Sequence, residues 1–229
     1  VAKQAADMVL LDNDFSSIIK AIKEGRRVFN NMRKFLNYLC TSNVAEVTVV
    51  TFFSFLGIQA ISAVQLLWIN LLTDGLPALA LGLDPAEKNI MQKKPRSPKE
   101  PLLNAFLKKN ILIIGLLKSV LLIGLFFYVW KTSSLLLAQT TVFTGLVFFE
   151  ILRIISIRST ERISWFANKW LWGAMLLSLG LQVSMLYSPW GKFFGVQALG
   201  MKEWILLSGA LGIGLLLTLL ITKLLRRKN

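Results

Sequence analysis

The sequence predicts an all-α, polytopic membrane protein with six transmembrane helices. Hydrophobic residues make up 55% of the 229 residues, and the mean hydropathy is +0.60. Several apolar runs approach the roughly 20 residues that a helix needs to cross a bilayer. Polar segments rich in Lys and Arg separate these runs, so each run is interpreted as its own span.

The first predicted helix, residues 15–57, is too long to be a span alone. At 1.5 Å per residue it would extend about 64 Å, roughly twice the thickness of a hydrocarbon core. We therefore predict a stalk helix in water over residues 15–34 that continues into a first span over residues 35–57. Residues 1–14 contain the stretch "DMVLLDND", which predicts a short strand left from a soluble domain, with Asp14 as the helix cap.

The second predicted span, residues 63–83, contains Gly75 and Pro77. Glycine and proline together predict a local opening of the helix, which membranes tolerate where the freed backbone lines a cavity or an ion site. A polar loop with four prolines follows and cannot enter lipid. The remaining spans are predicted at residues 105–129, 135–157, 169–187 and 203–225, within a transmembrane domain over 35–229.

The basic residues predict how the chain is oriented. Twenty-two of the 26 Lys and Arg residues lie on one side of the predicted spans and three on the other, with Lys118 inside a span. Short loops rich in Lys and Arg stay in the cytoplasm. We therefore expect both termini to be cytoplasmic, and we expect the cell membrane as the location.

The composition excludes several kinds of function. With Cys40 as the single cysteine the chain forms no internal disulfide, and without histidine it lacks the usual ligand for copper or zinc. The net charge is +14, and the charged residues lie between the apolar runs. This placement indicates that they set the orientation of the chain in the membrane. We expect no nucleic acid as a partner, because no basic stretch is interleaved with exposed aromatic residues.

Five oxygen-bearing side chains in the first two spans form the candidate metal site. Asn43 and Glu46 lie three residues apart on the first helix, while Asn70, Thr73 and Asp74 share one face of the second. Carboxylate, amide and hydroxyl oxygens suit a hard cation, and calcium fits such a set better than magnesium. The alternative to a metal site is that these side chains only form hydrogen bonds between helices. Two acids without a neighbouring cation argue against it.

Glu150 is a third acid within an apolar run. Lys118, in the preceding span, could lie at a similar depth, and Arg153 is one helical turn away. A buried ion pair is therefore the favoured interpretation over a ligand role. The sequence alone leaves the choice between the two partners open.

Three motifs carry a resemblance to a known family. The segments "SNVAEV", "QLLWINLLTDGLPALALGLDP" and "PRSPKEPLL" resemble the carboxyl-terminal half of the P-type cation-transporting ATPases, closest to calcium pumps of the sarcoplasmic-reticulum and bacterial type. The resemblance is strong over residues 1–103. It likens residues 1–26 to the end of the phosphorylation domain and the first two spans to the fifth and sixth transmembrane helices.

The resemblance implies that calcium is the transported ion, with manganese and then sodium or potassium as alternatives. It implies ligand roles for the five side chains, with Asp74 shared between sites where two ions bind. The motifs "DKTG" and "GDGxND" are absent, so this chain alone is not expected to hydrolyse ATP. ATP and magnesium would act through domains outside it. The expected partners are the lipid bilayer, the actuator, nucleotide-binding and phosphorylation domains, and the first four transmembrane helices.

One departure from the family bears on stoichiometry. In the two-calcium pumps a further acid comes from the eighth helix, and the corresponding place here falls near Thr160, with Glu161 adjacent. This favours one ion per cycle. The predicted function is ATP-driven cation export from the cytoplasm by alternating access. A passive channel or secondary transporter, and a non-catalytic membrane scaffold, are the alternatives.

Overall fold

A computed structural model of the chain confirms the all-α membrane class. None of the residues that it describes forms a strand, and the chain begins with the short helix α1, Ala2–Ala5. Residues 7–10 have no regular secondary structure, and residues 11–13 lie outside the described part. The N-terminal strand therefore stays a prediction. The structure describes residues 2–10, 14–97, 100–159, 163–164 and 166–227.

Helix α2, Phe15–Phe55, runs without interruption from the predicted stalk into the first predicted span. It begins where the carboxylate of Asp14 accepts a hydrogen bond from the backbone N–H of Ser16 at 2.9 Å. It ends at Phe55, two residues before Gly57, whose φ of +68° is a left-handed conformation that glycine adopts without strain. At 41 residues, α2 holds the stalk and the span on one continuous helix.

The second span consists of two α-helical segments joined by a wider turn. Helix α3 covers Ala63–Trp68, a π-helical turn covers Ile69–Thr73, and helix α4 covers Gly75–Gly82. The backbone N–H of Asp74 donates to the carbonyl of Ile69, five residues back, at 2.8 Å. The predicted opening of this helix thus takes the form of a π-helical turn, a feature frequent at functional sites.

The remaining long helices begin and end within three residues of the predicted spans. Together with Ala63–Gly82, they make five described segments that are long and apolar enough to cross a membrane. Helix α2 is not among the five, because polar side chains such as Asn43 and Glu46 lower the hydropathy of its second half. Six spans therefore stays a prediction. The four helices are α5 (Ala105–Thr132), α6 (Leu135–Ser159), α7 (Lys169–Tyr187) and α8 (Met201–Arg227).

Helix α5 packs against α2, α6 and α8, and a glycine brings it close to α2. A Cβ atom on Gly115 would lie 2.5 Å from Cγ1 of Val44, so only glycine fits there. One turn later, the hydroxyl of Ser119 donates to the carbonyl of Ala45 at 3.3 Å. Small residues at this spacing let membrane helices approach closely. The contact fixes α5 against the part of α2 that carries the candidate site.

Two apolar clusters lie on either side of the candidate site. One includes Phe53, Phe126 and Phe143 and joins α2, α5 and α6. The other includes Tyr38 and Leu81 and joins α2 to α4, α6 and α7. The polar residues of α2 between these clusters are therefore held in an apolar surrounding.

Candidate cation site

The structure buries three of the five predicted site residues and leaves two exposed. Glu46 is 5% exposed, Thr73 0% and Asp74 1%. Asn43 and Asn70 lie on exposed faces of their helices. Asn70 nevertheless donates from Nδ2 to Oε2 of Glu46 at 2.9 Å, which joins the first span to the second. No hydrogen bond in the described part of the chain joins Asn43 to the other four.

Two buried carboxylate oxygens in this region lack a hydrogen-bond partner among the described residues. They are Oε1 of Glu46 and Oδ2 of Asp74. The other oxygen of Asp74, Oδ1, faces the hydroxyl of Tyr38 at 3.4 Å. Buried polar atoms are nearly always paired, because an unpaired one costs about 1–3 kcal/mol. Two such acceptors, on adjacent spans, are available to a ligand that supplies positive charge.

The π-helical turn adds oxygen atoms that can bind a cation next to these carboxylates. Pro77 has no backbone N–H and cannot donate to the carbonyl of Thr73, four residues earlier. The hydroxyl of Thr73 donates to the carbonyl of Ile69 at 3.0 Å and keeps its oxygen lone pairs for another contact. The opened helix can thus offer a backbone carbonyl and a hydroxyl oxygen beside Asp74.

Carboxylates alone do not make this site. Within the described ranges, no group of three or more His, Cys, Asp or Glu side chains is arranged to hold a metal ion. Glu46 and Asp74 are close enough to interact electrostatically with each other and with Glu150. A cation here would therefore use two carboxylates together with amide, hydroxyl and carbonyl oxygens, a mixture typical of calcium.

Sequence reasoning missed two buried polar residues next to the candidate site. Tyr38 contacts Asp74, and the hydroxyl of Ser42 donates to Oε2 of Glu150. Tyr38, Ser42 and Glu46 follow one another at intervals of four residues, so they form one buried stripe on α2. Counting back from Glu46 in steps of four would have identified both residues.

The structure selects Lys118 as the partner of Glu150. Nζ of Lys118 lies 2.7 Å from Oε1 of Glu150, with both side chains at most 3% exposed. Arg153 instead donates from Nη2 to the amide oxygens of Asn37 and Asn110, each at 2.6 Å. The ion pair connects α5 to α6. It lies next to Ser42, which is one turn of α2 before Glu46.

A second buried carboxylate with cation partners lies at the end of the second span. Asp84 is 0% exposed, and its Oδ2 lies 3.1 Å from Nζ of Lys34 and 3.9 Å from Nε of Arg158. Its Oδ1 accepts from Nδ2 of Asn168 at 2.7 Å, and its backbone carbonyl accepts from Nδ2 of Asn31 at 2.8 Å. These contacts fasten the stalk half of α2 to the second, fourth and fifth spans.

Comparison with known proteins shows the family to which this chain belongs. The family described as cation transporting ATPase, C-terminus, matches residues 58–225. The chain belongs to this family. The matched residues include the second span with its π-helical turn and Asp74, whereas Glu46 lies before them.

Two curated relatives confirm the resemblance to the C-terminal region of P-type calcium pumps. A calcium-transporting ATPase of Bacillus subtilis is 38% identical over 216 residues, which cover 91% of this chain and 24% of the relative. Calcium-transporting ATPase 1 of Bacillus cereus is 37% identical over 226 residues, covering 89% of this chain and 26% of the relative. The chain thus spans about a quarter of the length of these relatives.

Proposed function

We propose that this chain is the ion-binding part of the membrane domain of an ATP-driven pump that exports calcium from the cytoplasm. The observation that carries the proposal is the pair of partnerless carboxylate oxygens, on Glu46 and Asp74, buried on adjacent spans. The names of the two curated relatives support calcium as the ion. Manganese, which also accepts oxygen ligands, is the first alternative.

In this proposal the five predicted side chains are calcium ligands. Glu46 and Asp74 bring charge, while amide and hydroxyl oxygens come from Asn43, Asn70 and Thr73. Calcium takes six to eight oxygen ligands, so further donors must come from backbone carbonyls, water or the rest of the pump. The exposed faces of Asn43 and Asn70 are where the first four transmembrane helices of the longer protein would pack.

The long helix α2 couples ATP hydrolysis to this site. ATP and magnesium act on the domains that lie outside this chain, and their movement displaces the stalk. Asp84 is bonded to Lys34 and Asn31 of α2, so a displacement of the stalk also reaches the end of the second span. This displacement changes the coordination geometry around Glu46 and Asp74, which lowers ion affinity and opens the site to the far side.

The test is the substitution Asp74→Asn in the pump that contains this chain. Removing the charge from a calcium ligand should abolish calcium-dependent formation of the phosphoenzyme from ATP. Asp14→Asn is the matched control, because it makes the same chemical change at an exposed position where asparagine caps a helix as well as aspartate.

The control should retain calcium-dependent phosphorylation. Normal calcium dependence in Asp74→Asn would refute the ligand assignment. Phosphorylation of the unaltered pump that responds to manganese and not to calcium would transfer the proposal to that ion.

A further inference from the structure

We propose that Lys118 acts as a built-in cation that occupies the second cation position of the membrane domain, so that the pump binds one calcium ion per chain. This inference rests on the proposed function of Glu46 and Asp74. It assigns a role to a buried basic residue that the proposed calcium site does not use. It also replaces the argument from Thr160 and Glu161, which lie outside the described residues.

The first step of the argument is the position of Glu150. Its Oε2 accepts a hydrogen bond from Ser42, and Ser42 precedes Glu46 by one turn of α2. One turn corresponds to about 5–6 Å along a helix axis. Glu150 therefore stands beside the proposed calcium site, where a third carboxylate could hold a second ion.

The second step is that both oxygens of Glu150 are already in use. Oε1 is bound by Nζ of Lys118 at 2.7 Å, and Oε2 by the hydroxyl of Ser42. Glu46 and Asp74, by contrast, each have an oxygen without a partner in the described part of the chain. A calcium ion that approached Glu150 would meet the ammonium group of Lys118, which is covalently part of the protein and already neutralises the carboxylate.

The third step is the balance of charge. Calcium ligands of this kind bind in the ionised form. Three carboxylates then face the one cation that is paired with them among the described residues, Lys118, which leaves a net charge of −2. One calcium ion brings the cluster to zero, whereas two would bring it to +2 in a low-dielectric surrounding, where uncompensated charge is very costly.

The experiment measures calcium bound per phosphorylation site in the purified pump that contains this chain. The wild type should bind one ion with a Hill coefficient near one. Lys118→Met, which keeps the length of the side chain and removes the charge, should raise the number to two. The double variant Lys118→Met/Glu150→Gln should return it to one, because the second carboxylate is then gone.

Two further variants keep the test informative if Lys118→Met does not fold. Lys118→Arg retains the positive charge and should stay at one ion per chain. Glu150→Gln alone should also bind one ion, because Glu150 is not a ligand of the proposed site. Loss of all calcium binding in a folded Glu150→Gln pump would overturn the inference.

Other outcomes separate this inference from the proposed function. Two ions bound by the wild type, or one ion bound by a folded Lys118→Met pump, would overturn the role of Lys118 and leave calcium transport intact. No calcium bound by the folded wild type would refute the proposed function itself.

Discussion

Four of the buried carboxylates that the structure describes fall into two groups that differ in what surrounds them. Asp84 and Glu150 each lie within 3.1 Å of a lysine ammonium group, and their remaining oxygens accept hydrogen bonds. Glu46 and Asp74 have no such cation, and each keeps an oxygen without a partner among the described residues. The first group ties helices together. We propose that the second group binds a cation that the protein itself does not supply.

Neutralising a carboxylate of the first group should have the largest effect on stability. Asp84→Asn removes the charge that faces two buried cations, Lys34 and Arg158, so we expect a loss of about 3–5 kcal/mol. Thermal unfolding of the detergent-purified pump measures it. Glu100→Gln is the control, since Glu100 pairs with Arg33 at a partly exposed position, where an ion pair contributes at most about 1 kcal/mol. Equal melting temperatures for the two variants would contradict the comparison.

Neutralising a carboxylate of the second group should change ion binding more than stability. Glu46→Gln removes a charged ligand but keeps an oxygen and the contact with Asn70, so we expect the apparent calcium affinity to fall at least about 100-fold, or roughly 2.7 kcal/mol. The calcium dependence of phosphoenzyme formation measures this. Without calcium, the variant should melt no lower than the wild type, because no cation loses its partner. Unchanged affinity together with a large loss of stability would place Glu46 in the first group.

Much of the site could be predicted from the sequence because helical spacing is a local property. Intervals of three and four residues predicted that Asn70, Thr73 and Asp74 share one face, and Gly75 with Pro77 indicated that the helix opens there. Thr73 and Asp74 are buried, whereas Asn70 lies on an exposed face. The family resemblance rested on the same residues. Neither inference required knowledge of how the helices pack.

The rest could not be predicted, because it depends on how helices rotate against one another. Lys118 and Arg153 were equal candidates for Glu150 until the packing of α5 against α6 decided between them. The exposed face of Asn43 likewise follows from the rotation of α2 in the bundle. Tyr38 was overlooked because an aromatic residue in an apolar helix ordinarily indicates core packing, and its contact with Asp74 is visible only in three dimensions.

The most direct test of the account is a high-resolution cryo-EM map of the intact pump with calcium bound. We predict density for an ion between the first two spans described here, with carboxylate oxygens of both Glu46 and Asp74 within about 2.3–2.6 Å of it. Glu150 should remain bonded to Lys118 in the same map. Ion density elsewhere in the membrane, or at a place that only one of the two carboxylates reaches, would contradict the account.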